Sequence, residues 1–196
     1  MTIQVLVDGG ANSKNSVDRY IHLFGTPFDL IYVFEPNPLF HDSYHGSQYV
    51  LMPQAIWTED CILPFYISKD TNQVGSSLFR HKLCRTKDGH AVSATDTGQE
   101  YMGNDFHLKP LDINCIDFSR WLRANIDPAV HHLTVKLDIE GSEYAVLYKL
   151  INDGTISLIN KLYVEFHTKH MNISDASHDQ LVRSITNAGI IINHWD

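Results

Sequence analysis

The stretch Val5-Leu-Val-Asp-Gly-Gly-Ala-Asn-Ser-Lys-Asn-Ser-Val17 decides the fold. Its apolar start runs through an acid into two glycines and then into a polar segment, the pattern of a buried strand, a tight turn and a helix. In α/β proteins such a junction commonly carries a ligand. The spacing is neither G-x-G-x-x-G nor G-x-x-x-x-G-K-[ST], and Lys14 stands where a third glycine would fall.

Outward from this junction the same rhythm repeats. A helix with Val17, Tyr20, Ile21 and Phe24 on one face closes at Gly25 and Pro27, and Leu30–Phe34 follows as a second strand. Tyr49–Trp57 holds a third strand, bulged or shortened by Pro53. Leu63–Ile67 is an additional β element. Asp117 caps a helix carrying Phe118, Trp121, Leu122 and Ile126. Leu133–Ile139 is a fourth core strand, Ser142–Asp153 a helix, Leu162–Phe166 a fifth strand. A last helix with Leu181, Val182 and Ile185 ends at Gly189, before Ile190–His194. This alternation predicts an α/β fold with a mostly parallel, doubly wound sheet. The 196 residues read as a single domain, 1–196, with an insertion or substrate flap over about 58–110. Within it, Arg80–His107 lacks either apolar period and holds four of the fifteen Lys and Arg residues between Arg80 and Lys87; it reads as a solvated loop, or as a substrate flap whose Arg80, Lys82 and Arg85 meet an anionic group.

The chain has no apolar run of about 18 residues, and its first residues lack the pattern of a secretory signal. Cys61, Cys84 and Cys115 form no C-x-x-C pair and predict reduced thiols in a cytoplasmic protein. A formal charge of −8 opposes general affinity for nucleic acid.

Ligands of a parallel sheet bind beyond the carboxyl ends of its strands. Those ends here read Asp8-Gly-Gly-Ala-Asn12, Phe34-Glu-Pro-Asn-Pro38, Gln54-Ala-Ile-Trp57, Asp138-Ile-Glu-Gly141 and Glu165-Phe-His167. Gly9 and Gly10 let backbone approach a ligand. Glu35 is placed to accept both hydroxyls of a ribose, and Asp8 to face an ammonium or sulfonium. Asp8, Glu35 and Asp138 together would repel a pyrophosphate, which favours S-adenosylmethionine over NAD or ATP. The bland alternatives are helix caps at Asp8 and Asp138 and a solvated strand end at Glu35.

These segments, with Ser76-Ser-Leu78, Lys136-Leu-Asp-Ile-Glu-Gly-Ser-Glu143 and Val164-Glu-Phe-His167, resemble in order and spacing the FkbM family of S-adenosylmethionine-dependent methyltransferases. The resemblance implies a Rossmann-like class I methyltransferase fold. It places Asp8, Gly10 and Asn12 along the methionine part of the cofactor, and Glu35, with Pro36 in its segment, at the ribose. Gln54, Ala55 and Ile56 would flank adenine, and Asp138 would face the reaction centre. Two departures stand out. Lys14 replaces a usual glycine, so it turns outward or reaches toward substrate, as Ser77 and Arg80 would. The usual seventh, antiparallel strand is doubtful, and a shortened sheet edge of this kind suits cover by a second subunit.

Methyl transfer to oxygen requires the acceptor to lose a proton. His167 is the first choice of base, oriented by Glu165, with Asp138 the second choice. Lys136 shares the face of Asp138 by strand alternation. Asp138, Glu165 and His167 have ligand chemistry for a divalent metal, but their spacing matches no metal motif, and no metal is expected. The expected reaction is O-methylation of a sugar, glycan or polyketide-like small molecule. The competing readings are an RNA ribose 2′-O-methyltransferase using Lys14, Asp138 and Glu165, a non-catalytic S-adenosylmethionine-binding module, and an NAD-dependent oxidoreductase.

Overall fold

A computed structural model describes residues 2–69, 73, 75–80 and 109–195. Among them, nine strands form two sheets, and four α-helices accompany them. The larger takes β1 (Ile3–Gly9), β2 (Leu30–Phe34), β3 (Val50–Met52), β7 (His131–Leu137), β8 (Lys161–Val164) and β9 (Ile192–His194) in the order β3-β2-β1-β7-β8-β9. Every pairing in it is parallel. The order reverses between β1 and β7, which opens a crevice at their carboxyl ends.

Period-two alternation on β1 divides the core. Val5 and Val7 face a cluster filled by Leu122 of α2 (Phe118–Asn125), Leu147 and Leu150 of α3 (Glu143–Asn152), and Leu181 and Ile185 of α4 (Asp175–Asn187). Leu6 faces the other side, against Val17 of α1 (Lys14–Tyr20), Phe24, Ile31 and Val33. Both faces are thus covered, as a parallel sheet requires. Helix starts follow from local chemistry: Ser13 caps α1 by accepting from Ser16 N, and Asp117 caps α2 by accepting from Arg120 N, as its sequence position predicts.

The segment expected as one bulged strand, Tyr49–Trp57, is two strands in different sheets. β3 joins β2, whereas β4 (Ala55–Trp57) pairs with β6 (Leu111–Asp117). The break falls at Pro53, which has no N–H to give, and Met52 O there accepts from both Glu35 N and Gln54 N. β5 (Cys61–Phe65) runs antiparallel to β6 and completes a small sheet, β4-β6-β5. Cys61 and Cys115 oppose each other across it as free thiols. The expected loop Arg80–His107 lies outside the described residues except for Arg80 itself, as does Cys84. The strand β9 is parallel to β8, so the larger sheet has no antiparallel member among the described residues. No described helix is long and apolar enough to cross a membrane.

Candidate active site

The carboxyl ends of β1, β2, β7 and β8 surround a cavity of about 1150 Å³. Gly10, Asn12, Glu35, Asp138 and Glu165 line it, as do Pro36, Ala55 and Ile56. Its floor is made where β1 and β7 touch through backbone. Gly10 has φ 76°, and a Cβ there would stand 1.8 Å from Asp138 O, so only glycine fits.

Glu35 follows β2 and is 6 % exposed. One carboxylate oxygen accepts from Asn12 N at 2.7 Å and the other from Asn37 N at 2.7 Å. His41 Nε2 lies 2.8 Å from Glu35 O and steadies the strand end. Burial pushes the Glu35 carboxyl up to about 8, against the pull of the two N–H donors. Each oxygen keeps a lone pair beyond its backbone donor, so the group can still accept from a ligand.

Asp8, at the tip of β1, is fully buried and does not line the cavity. Lys136 Nζ donates to its Oδ1 at 3.0 Å, and Tyr20 OH donates to its Oδ2. The expected acceptor for a ligand cation therefore meets a lysine of its own chain. Lys136, 1 % exposed, also donates to Gly10 O at 3.3 Å and lies 3.6 Å from Asp138 Oδ2. Burial pulls its ammonium down, but the Asp8 and Asp138 carboxylates outweigh this and hold it above its ordinary value. The rings of Tyr20 and Trp195 flank the same ammonium at 5.2 and 5.5 Å. Burial first, then Asp8, raises the Tyr20 hydroxyl.

At the other end of the floor, Glu143 begins α3 and is fully buried. Its carboxylate folds back to accept from Ile139 N at 2.9 Å and Gly141 N at 3.0 Å. His167 Nδ1 lies 3.0 Å from Glu143 Oε1, and His167 Nε2 lies 3.0 Å from Glu140 Oε2 and 3.8 Å from Glu165 Oε1. His167 is 5 % exposed and sits behind Glu140 and Glu165 rather than on the cavity wall. Of the three expected acid–base groups, Asp138 and Glu165 line the cavity. Burial, and after it the Asp138 charge, raises the Glu165 carboxyl above its ordinary value.

The remaining expected residues lie apart. Lys14 pairs with Asp18 one turn along α1, off the cavity, so no lysine from that position joins Asp138 and Glu165. Gln54 is half-buried beside β3 but does not line the cavity. Arg80 is exposed and also off the wall. Ser77 is buried, and its Oγ donates to Glu140 O at 2.7 Å, holding a residue with φ 55°. Residues that sequence reasoning passed over are Tyr20, Trp195, Glu140 and Glu143. Glu143 stood in a segment already singled out, but an acid opening a helix reads as a dipole partner.

A family model described as the methyltransferase FkbM domain matches residues 8–192. The chain belongs to that family. It is therefore an S-adenosylmethionine-dependent methyltransferase, and the nicotinamide oxidoreductase reading is set aside. No curated protein and no solved structure matches the chain.

Proposed function

We propose that this FkbM methyltransferase O-methylates a sugar, glycan or polyketide-like hydroxyl, using a Rossmann-like class I sheet and the cavity above β1 and β7. On this reading residues 1–196 are one domain, with the acceptor met by an insertion over about 58–110. Glu35 carries the proposal: it is a buried carboxylate on the cavity wall whose protein partners are neutral N–H groups. Such a group suits vicinal ribose hydroxyls, which donate to it without adding charge. Gly10 and Asn12 border the methionine end of the cavity floor, Pro36 flanks the ribose, and Ala55 and Ile56 form the apolar adenine wall beside Gln54. Asp8 acts from behind, holding Lys136 and Tyr20 in place under Gly10.

When bound, S-adenosylmethionine supplies an electrophilic methyl on a cationic sulfur. The chain supplies position and a proton acceptor. The acidic rim of Asp138 and Glu165 favours a cation in the cavity and opposes a pyrophosphate. Glu165 takes the acceptor proton: it lines the cavity, and its raised carboxyl is a stronger base than an ordinary glutamate. His167, enclosed by carboxylates, acts from the layer behind.

Two measurements test the proposal. S-adenosylhomocysteine should raise the melting temperature of the protein and NAD should not. Glu165→Gln should lower kcat by about 100-fold or more while leaving S-adenosylhomocysteine affinity within about threefold. Equal stabilisation by NAD, or unchanged turnover in Glu165→Gln, would overturn the corresponding part.

A further inference from the structure

The polar cluster behind the cavity floor brings three metal-ligating side chains to one point. The Glu143 carboxylate already accepts from Ile139 N and Gly141 N, so His167 Nδ1 can meet it only as a donor. A carboxylate that holds Nδ1–H leaves Nε2 to face a ligand, the arrangement of metal-binding histidines. That nitrogen is aimed at Glu140 Oε2, 3.0 Å away, with Glu165 Oε1 at 3.8 Å. A protonated ring donates from Nε2 to Glu140, and a divalent cation would take the place of that proton between Nε2 and Oε2. His167 Nε2 and carboxylate oxygens of Asp138 and Glu140 fall within 4.8 Å of one another. Two ligands at right angles on an ion with bonds of about 2.1 Å stand about 3.0 Å apart, the separation seen between Nε2 and Oε2.

A second observation points to a ligand in the adjoining cavity. Ser142 lines the cavity next to Glu140 and Gly141 and is 1 % exposed. Its Oγ is buried and has no hydrogen-bond partner among the described residues. A buried hydroxyl in that state calls for a partner from the cavity.

We infer that Asp138, Glu140 and His167 bind a divalent cation of the Mn²⁺ or Mg²⁺ type, with Glu143 as the positioning residue that fixes the imidazole. Two oxygens and one nitrogen fill half of an octahedral shell. Asp138 and Glu140 line the cavity, so the open half faces the acceptor. The spacing Asp138, Glu140, His167 matches no known sequence motif because its third member comes from the end of another strand. The site rests on the methyltransferase reading only for its use: an acceptor hydroxyl bound to the cation gives up its proton more readily, and the proton passes to Glu165. Ser142 Oγ then bonds the acceptor or a water on the ion.

The test uses the full chain, stripped with chelator and titrated with Mn²⁺ alone while electron paramagnetic resonance follows the free ion. The expected result is uptake of one ion per chain, with ¹⁴N coupling from an imidazole ligand. His167→Ala should abolish that coupling, and Asp138→Asn, whose residue is part-exposed, should weaken uptake without unfolding. Glu143→Gln should weaken uptake by about tenfold or more, with the coupling altered, while melting stays cooperative. S-adenosylhomocysteine binding is measured calorimetrically on the same samples. Folded protein that binds S-adenosylhomocysteine but takes up no ion at millimolar Mn²⁺ overturns the cation site and leaves the methyltransferase reading intact. Undiminished uptake and coupling in His167→Ala also overturns it. Uptake with the expected coupling but no S-adenosylhomocysteine binding upholds the cation site and overturns the cofactor reading of the cavity.

Discussion

Asp8 and Glu35 end neighbouring strands, are both buried, and differ in one respect that governs their use. Asp8 has a lysine ammonium at 3.0 Å and a tyrosine hydroxyl on its second oxygen, so its charge is neutralised from within the chain. Glu35 has two backbone N–H groups and, among the described residues, no cation in contact, and burial lifts its carboxyl to about 8. An acid that brings its own counter-ion is structural; one held by neutral donors stays available to whatever enters the cavity. Sequence order made the two look equivalent, because both follow an apolar strand and precede a turn.

The contrast is broken most sharply by removing the counter-ion. Lys136→Met leaves Asp8 buried and unpaired, and should destabilise the fold by about 3–5 kcal/mol in a denaturant titration. Asp8→Asn combined with Lys136→Met should cost clearly less than the sum of the single changes. At the other acid, at a pH above about 8 where its carboxyl is ionised, Glu35→Gln should weaken S-adenosylhomocysteine binding by about 100-fold in calorimetry, since hydrogen bonds to a charged acceptor are worth about 1.5–3 kcal/mol each. Tyr20→Phe deletes one donor to Asp8 and should cost about 1–2 kcal/mol of stability, with cofactor affinity little changed.

The most diagnostic effect is on pH dependence. The Glu35 carboxyl is raised from an unfolded value of 4.5 to about 8, so between those values the folded protein binds the extra proton. Stability should then fall as pH rises from about 4.5 to about 8 and level off above, with the Glu35 share of the slope absent in Glu35→Gln. Cofactor affinity should run the other way. Ribose hydroxyls favour the ionised carboxylate, so affinity should climb toward about 8 and flatten beyond it. A wild-type binding curve flat across that range would separate Glu35 from the ribose.

Much of the large sheet was legible because its strands are continuous apolar runs, and runs of that kind, alternating with helical periods, admit few arrangements. Less legible was the small sheet. Leu111–Asp117 alternates Leu, Ile and Cys with Asp112 and Asn114, both exposed, and its mixed polarity hid a strand. The site divides the same way. Glu35, Asp138 and Glu165 were readable as strand-end carboxylates, since topology alone brings strand ends together. The pairing of Asp8 with Lys136, 128 residues apart, and the reach of Glu143 to His167 depend on side-chain directions inside a packed crossover. One-dimensional spacing does not encode these. Ser77 shows the limit from the other side: it stood in a recognisable segment, but as a clamp on Glu140 O rather than as a substrate contact.

That clamp joins two parts of the cavity wall. Gln73, Ser76 and Leu78 line the cavity on either side of Ser77, and the Ser77 hydroxyl grips the peptide that carries Glu140. On the proposed reading, an acceptor leaning on the first group would pull, through one hydrogen bond, on a residue two positions from Asp138. A shortened acceptor that no longer reaches Ser76 and Leu78 should be turned over slowly even when it is held well, because what it loses is the tension that sets the floor.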